Sequence, residues 1–387
     1  MTSTKRTIIF SGMIAADPYQ GGATWAVLQY LIGLQELGHE VFFVEPVTQK
    51  SITPAGIAFE HSVNADYFRR VIAEFSLERN SALLLEGTRQ TVGLPYEALE
   101  QITGRADVLI NVSGMLTVEA LTAGIPLRVY LDLDPAFNQL WHSAYGIDMR
   151  FDAHNRFVTV GNAVGRQDCT VPTCGVEWIT TLQPAVLNQW PPGGDIGYDG
   201  LTTIANWRGY GSIDHEGVFY GQKAHSMREY IELPKLTDEK FMPALAIHPE
   251  ETNDLTALAD NNWKIIDPSQ VADTPTNYRQ FVQQSKAEFG IAKSGYVASR
   301  CGWFSDRSVC YLASGRPVIA QDTGFSDFLP TGSGLFAFSN RDEVLESIDA
   351  MNIDYEAHSR AARDLANEFF DSKKVLTKLL RGVGATS

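Results

Sequence analysis

The chain has 387 residues and a formal net charge of −15. A single hydrophobic core stops growing at roughly 250–300 residues, so two domains are expected. With 44% hydrophobic and 20% charged residues the composition is globular, and its acidity argues against broad electrostatic adhesion to nucleic acid or anionic membrane.

In chain order, TIIFSGMI (7–14) is a continuous apolar run, as expected of a strand buried on both faces of a parallel sheet. It is too short and too soon interrupted for a signal sequence. No stretch approaches the ~20 apolar residues that span a bilayer, so a reducing cytoplasm is the expected compartment, with no stable membrane insertion. The loop AADPYQGG (15–22) follows, then a helix with apolar residues at helical spacing from Trp25 to Leu37, Thr24 as its cap and Gly38 as its stop. EVFFVEP (40–46) is a second strand, so the unit is β-loop-α-β with a right-handed crossover.

The alternation recurs in ADVLINVSG (106–114, strand), MLTVEALTAG (115–124, helix) and PLRVYLDLDP (126–135, strand). Residues 150–188 lack a clear period. WPPGGDIGYDG carries Pro-Pro and Gly-Gly, and 191–200 is the expected linker. Beyond it come a strand at 201–207, a helix at 221–236, a strand at 243–249, the helix ETNDLTALADNN, a strand-like WKIIDP and a helix at 274–286. AEFGIAK (287–293) and RPVIAQD (316–322) are strands flanking CGWFSDRSVCYLASG, and three helices end the chain. The expected architecture is α/β: two Rossmann-like doubly wound domains facing across a cleft. The domains span 1–190 and 201–370, and 371–387 forms a C-terminal helix.

In open α/β sheets ligands bind beyond the C-terminal ends of the strands, and four residue sets fall there. Gly21 and Gly22 precede the first helix, where missing side chains admit a ligand to its N-terminus. Asp17 in that loop is a candidate general base, or a turn residue. Asp132 and Asp134 share parity at a strand exit and could hold acceptor hydroxyls or take a proton; an Asp-Pro turn is the alternative. Arg208, leaving the first strand of the second domain, and Lys223, near the start of the next helix, suit a pyrophosphate. YGSIDHEGVFY between them reads as a flap, and His215 and His225 as surface or packing histidines. Ser305 starts a helix whose free N–H groups can meet an anion, with Asp306 for sugar hydroxyls and Arg307 for phosphate; an N-cap is the plainer role. Thr323 and Gly324 add a glycine-backed anion turn. Cys169, Cys174, Cys301 and Cys310 lack zinc-knuckle spacing and read as packing thiols.

The run YLASGRPVIAQDTGF resembles the second domain of GT-B glycosyltransferases, in particular the large retaining family with an E-x7-E signature. There a Gly-rich acidic loop leads to a helix, a Gly-Lys-Pro-Val-like strand and a Gly turn. The N-terminal glycine loop and GHEVFFVEP also fit. The signature itself is degenerate: Gly302 and Cys310 stand near the two glutamate positions, and Asp306 is the acid between them. The resemblance implies transfer of a sugar from a nucleoside-diphosphate sugar, with UDP as the carrier, to a hydroxyl, and no metal or other cofactor. Arg208 and Lys223 would grip the diphosphate, and the final helix would return to the first domain. The acceptor would be a small molecule, a glycan or a hydroxylated DNA base. A UDP-sugar 2-epimerase and a non-catalytic two-lobed sugar- or nucleotide-binding protein are the alternatives.

Overall fold

The computed structural model describes residues 5–386. The apolar runs form parallel strands, because residues with no polar face must be covered on both sides. One sheet has eight strands: β1 (Thr7–Ser11), β2 (Glu40–Val47), β3 (Ser81–Leu85), β4 (Thr91–Gly93), β5 (Val108–Val112), β6 (Leu127–Asp132), β7 (Arg156–Thr159) and β8 (Trp178–Thr180). Their order is 4-3-2-1-5-6-7-8, parallel except for β3 against β4.

Five strands make the second large sheet, β9 (Tyr198–Asn206), β12 (Phe241–Ala246), β13 (Ser285–Gly290), β14 (Val318–Gln321) and β15 (Leu335–Phe338). Their order is 12-9-13-14-15, all parallel. The strand order turns back between β1 and β5 in one sheet and between β9 and β13 in the other. Such switch points open a crevice at the strands' C-terminal ends. The loops leaving β1, β9 and β13 therefore start at the two crevices.

Several elements differ from the sequence reading. The first helix spans Gly21–Glu36. Thr24 is buried inside it with its hydroxyl 2.9 Å from that of Tyr67, so it is no cap. The helix expected over 115–124 shrinks to Glu119–Thr122. The aperiodic 150–188 region holds β7 and β8, three- and four-residue strands too short to show a period. YGSIDHEGVFY is not a loose flap: β10 (Ile213–His215) and β11 (Val218–Tyr220) pair as a hairpin, anchored by buried Ile213 and Tyr220. Of WKIIDP only Ile266 pairs, in a bridge to Ala244. β9 begins at Tyr198, within the expected linker.

The helix Ser372–Gly382 lies on the first helix. Gly33 permits this, since a Cβ there would stand 2.6 Å from Leu376 Cδ1. Leu376, Leu379 and Leu380 join Leu28, Leu31 and Leu34 in one apolar core. That core continues through Tyr278 and Val282 into Val309 and Leu312 of the second domain. Trp25 Nε1 also donates to Pro275 O at 2.7 Å across the same junction. All four cysteines are free thiols, with Cys301 and Cys310 buried. No helix among the described residues is long and apolar enough to cross a membrane.

Candidate active site in the cleft between the domains

A cleft of ≈ 1500 Å³ lies between the C-terminal ends of the two sheets. The first domain contributes the Asp17–Gln20 loop, Gly22, Ser113 and Asp134; the second contributes Lys223, Lys293, Ser305, Asp306 and Arg307.

Cations gather on the second-domain wall. Arg307, in the first turn of the helix Asp306–Ala313, is held by Glu288 of β13 (Nε to Oε1, 2.5 Å) and donates to Ile204 O at 2.9 Å. Glu288 is fully buried at the centre of the sheet. Burial works against the guanidinium, but the Glu288 carboxylate outweighs it and holds Arg307 above its ordinary value. Lys223 donates from Nζ to Ile291 O. Burial, and then repulsion from Arg307 and Lys293, pull its ammonium well below the usual lysine range. Asp306 is pushed up by burial, partly offset by Arg307. An anion placed here offsets the push of Arg307 and Lys293 on Lys223 and meets the N-terminus of a helix.

Beside this wall, Leu245, Ile247, Ile265, Ile266 and Pro268 form an apolar slot at the end of β12. Ile265 is part of this lining and is partly open to solvent there. A flat ring fits between such side chains.

On the first-domain wall, Glu45 of β2 is fully buried and accepts the N–H groups of Ala15 (2.8 and 3.0 Å) and Ala16 (2.7 Å). Asn64 Nδ2 donates to Ala15 O at 2.7 Å. Together they fix the loop that presents exposed Asp17 to the cleft. Further along the wall, Asp134 Oδ1 and Oδ2 each accept from Lys293 Nζ at 3.1 Å.

No protein-family model matches the chain, and no curated protein matches it by sequence. Solved structures match it over nearly its whole length. An alpha-glucosyltransferase in complex with UDP and a 13-mer DNA superposes with a TM-score of 0.61 at 12% identity, over 98% of this chain and 100% of that one. Anabaena Alr3699/HepE in complex with UDP-glucose gives 0.60 at 11% identity, over 98% and 99%. AviGT4, a glycosyltransferase involved in Avilamycin A biosynthesis, gives 0.50 at 12%, over 98% and 97%. The chain has the GT-B fold.

Within this GT-B frame the expected site residues divide. Asp17, Gly22, Asp134, Lys223, Ser305, Asp306 and Arg307 line the cleft. Ser305 does so as the N-cap, its hydroxyl accepting from Arg307 N at 3.3 Å. Five others do not line it. Arg208 turns its guanidinium to Glu251, with Nη2 to Oε2 at 3.4 Å, and its neighbours Gly209 and Tyr210 face the cleft instead. Asp132 is fully buried. It accepts from Asn138 (2.7 Å), Gln139 (2.7 Å), Thr159 (2.8 Å) and Asp134 N (3.0 Å), so it braces the strand exit and reaches no substrate. Gly21 serves packing, not a ligand: its N–H donates to Ala272 O at 2.8 Å, and a Cβ would meet Thr274 O at 2.3 Å. Gly22 lies against Tyr278 in the same way, with 2.9 Å left for a Cβ. In the expected anion turn, Thr323 is buried with Oγ1 donating to Trp303 O at 2.5 Å, and Gly324 N–H is already satisfied by Asp322 Oδ1 at 2.9 Å.

Sequence reasoning missed Lys293, Tyr210, Tyr296, Glu288 and Glu45. Lys293 had a usable signal, since it follows a buried strand where cleft residues sit. Glu45 and Glu288, charges within apolar strands, also stood out. Among the described residues, no three of His, Cys, Asp and Glu converge to hold a metal ion. A smaller cavity of ≈ 330 Å³ on the first domain is lined by Arg128, Arg150 and His154. Arg128 is already committed to Ala153 O (2.9 Å) and Ile125 O (2.8 Å), and Arg150 pairs with Asp148.

Proposed function

We propose that the chain is a glycosyltransferase that moves a sugar from a nucleoside-diphosphate sugar, with UDP as the carrier, to a hydroxyl acceptor. The observation that carries this is the convergence of Lys223, Lys293 and Arg307 on one wall beside an apolar slot. Two matching GT-B structures hold UDP or UDP-glucose, which supports the same donor here. The base lies in the slot between Ile247 and Ile265, and the diphosphate at the cations.

During transfer the bond between the anomeric carbon and the diphosphate oxygen breaks, and its electron pair leaves on the diphosphate. The acceptor oxygen forms the new bond and loses its proton. In an inverting reaction that proton goes to a side-chain base, for which we propose the exposed carboxylate of Asp17; in a retaining one the leaving diphosphate takes it. The cations stabilise the developing charge at fixed positions, and one such contact is worth several kcal/mol of barrier. We read the reaction as metal-independent because these side chains supply the positive charge. The acceptor is a small molecule, a glycan or a hydroxylated DNA base; one of the matching structures carries DNA.

A thermal-shift panel of UDP, ADP, GDP, CDP and dTDP tests the donor site. Stabilisation follows RT ln(1 + [L]/Kd), so the right nucleotide at about 100 times its Kd adds ~2.7 kcal/mol. A flat response to all five sinks the proposal. Incubation with UDP-sugar alone, followed by NMR, separates transfer from epimerisation: a 2-epimer appearing without acceptor favours the epimerase.

A further inference from the structure

Asp134 follows β6 of the first domain, while Tyr210, Lys293 and Tyr296 belong to the second. Besides the two 3.1 Å contacts to Asp134, Lys293 Nζ lies 3.1 Å from the Tyr296 hydroxyl and touches that of Tyr210. Both tyrosines donate their hydroxyl hydrogens to Asp134. Nζ also sits 4.2 Å from the Tyr210 ring centroid, 4.9 Å from that of Phe137 and 5.0 Å from that of Tyr296. A carboxylate from one domain and an aromatic cage thus hold one ammonium at the cleft, with about a fifth of the Lys293 side chain exposed (22%).

Of the three basic side chains here, Lys223 alone has no carboxylate bonded to it among the described residues, although Glu288 and Asp306 lie near enough to act on it. Arg307 has Glu288 as a partner and Lys293 has Asp134. Lys223 has the Ile291 carbonyl, and both other cations push against it. A diphosphate carries enough negative charge to satisfy Lys223 and to compete with Asp134 for Lys293.

We propose that Lys293 is a donor-phosphate ligand held in reserve by Asp134: a nucleoside diphosphate in the cleft draws the ammonium away, the bridge between the domains breaks, and the Asp134 carboxylate is freed to face the acceptor. This rests on the donor reading above. It adds that donor binding and exposure of an acceptor-side carboxylate are one event, so the acceptor is engaged after the donor. Only side chains need move, since the domains share an apolar core behind the cleft.

The test is calorimetric titration of UDP into the full chain, its variants Lys293→Gln and Asp134→Asn, and the double variant. Competition demands effects of opposite sign. Lys293→Gln weakens UDP binding tenfold or more. Asp134→Asn tightens it severalfold, and this gain shrinks when Lys293 is already Gln, as expected of coupled sites. Lys293→Arg keeps the charge and binds within a few-fold of the parent, which covers failure of the Gln variant to fold; loss of UDP binding by a folded Arg variant counts against a plain charge role. Equal UDP affinity in parent and Lys293→Gln overturns this inference and leaves the donor reading standing. Weakening by both single variants overturns it too, and marks the pair as a structural clamp. A parent chain that binds neither UDP nor another nucleoside diphosphate removes the donor reading, and this inference with it.

Discussion

At the scale of single residues, the partner decides what a charged group can do. Arg307 and Arg208 are both arginines at strand or helix ends. Arg307 is tied to a fully buried carboxylate, and Arg208 to a surface one. Arg307→Ala strands Glu288 in the core, and breaking a buried pair in this way costs about 3–5 kcal/mol. Denaturant unfolding of that variant should show the loss; a change below 1 kcal/mol contradicts the pairing. Arg208→Ala removes a half-exposed pair, and exposed pairs are worth at most ~1 kcal/mol. It should leave stability nearly unchanged and UDP affinity within about threefold, since the guanidinium lies off the cleft. A tenfold loss of affinity restores Arg208 to the phosphate site.

Two buried carboxyls also set a pH dependence. Burial pushes Glu45 up to about 8 against the pull of its backbone N–H partners, and Asp132 up to about 6 against its side-chain partners. In the unfolded chain both titrate near 4. The folded state therefore binds these protons more tightly, so their contribution is complete below about pH 4 and is lost as pH rises through 6 and then 8. Unfolding free energies from urea titrations at pH 5, 6.5 and 8 should fall in that order, by on the order of a few kcal/mol in total. Glu45→Gln, which preserves the shape, should flatten the upper part of the slope. An unchanged slope in that variant removes Glu45 as its source.

At the scale of elements, the start of the first helix is where the domains meet. Gly21 and Gly22 let the chain approach Thr274 and Tyr278 closely enough for the helix to dock on the second domain. The carbonyl oxygen of Thr274 is backbone and yields little, so Gly21→Ala should fall at the upper end of the 1–3 kcal/mol typical of overpacking. A melting temperature within a degree of the parent contradicts that geometry. The long elements were legible because the strands are unbroken apolar runs and the helices repeat their apolar residues near 3.6. β7 and β8 were not, since three or four residues carry no period, and neither was the β10–β11 hairpin, whose Gly- and Tyr-rich sequence also suits a loop. Thr24 misled as a cap because its hydroxyl has a partner, Tyr67, that is distant in sequence.

At the scale of the whole molecule, two switch points facing each other make the cleft, and an apolar core is shared across the junction behind it. Gross domain rotation would expose Trp25, Tyr278 and Val309, all buried at that junction. Small-angle scattering with and without UDP should therefore give nearly the same radius of gyration; a contraction of several ångströms argues for a hinge.

From the sequence alone came the alternation of elements, the α/β class, the two-domain division and the rule that function lies at strand exits. These follow from local periodicity and from the chemistry of each side chain. Only the tertiary structure decided which charges face the cleft and which are neutralised elsewhere. Arg307 meets Glu288 across 19 residues, Arg208 meets Glu251 across 43, and Lys293 meets Asp134 across 159. An ion pair depends on distances of a few ångströms between groups that no local pattern relates, so the charges could be read from the chain but their partners could not.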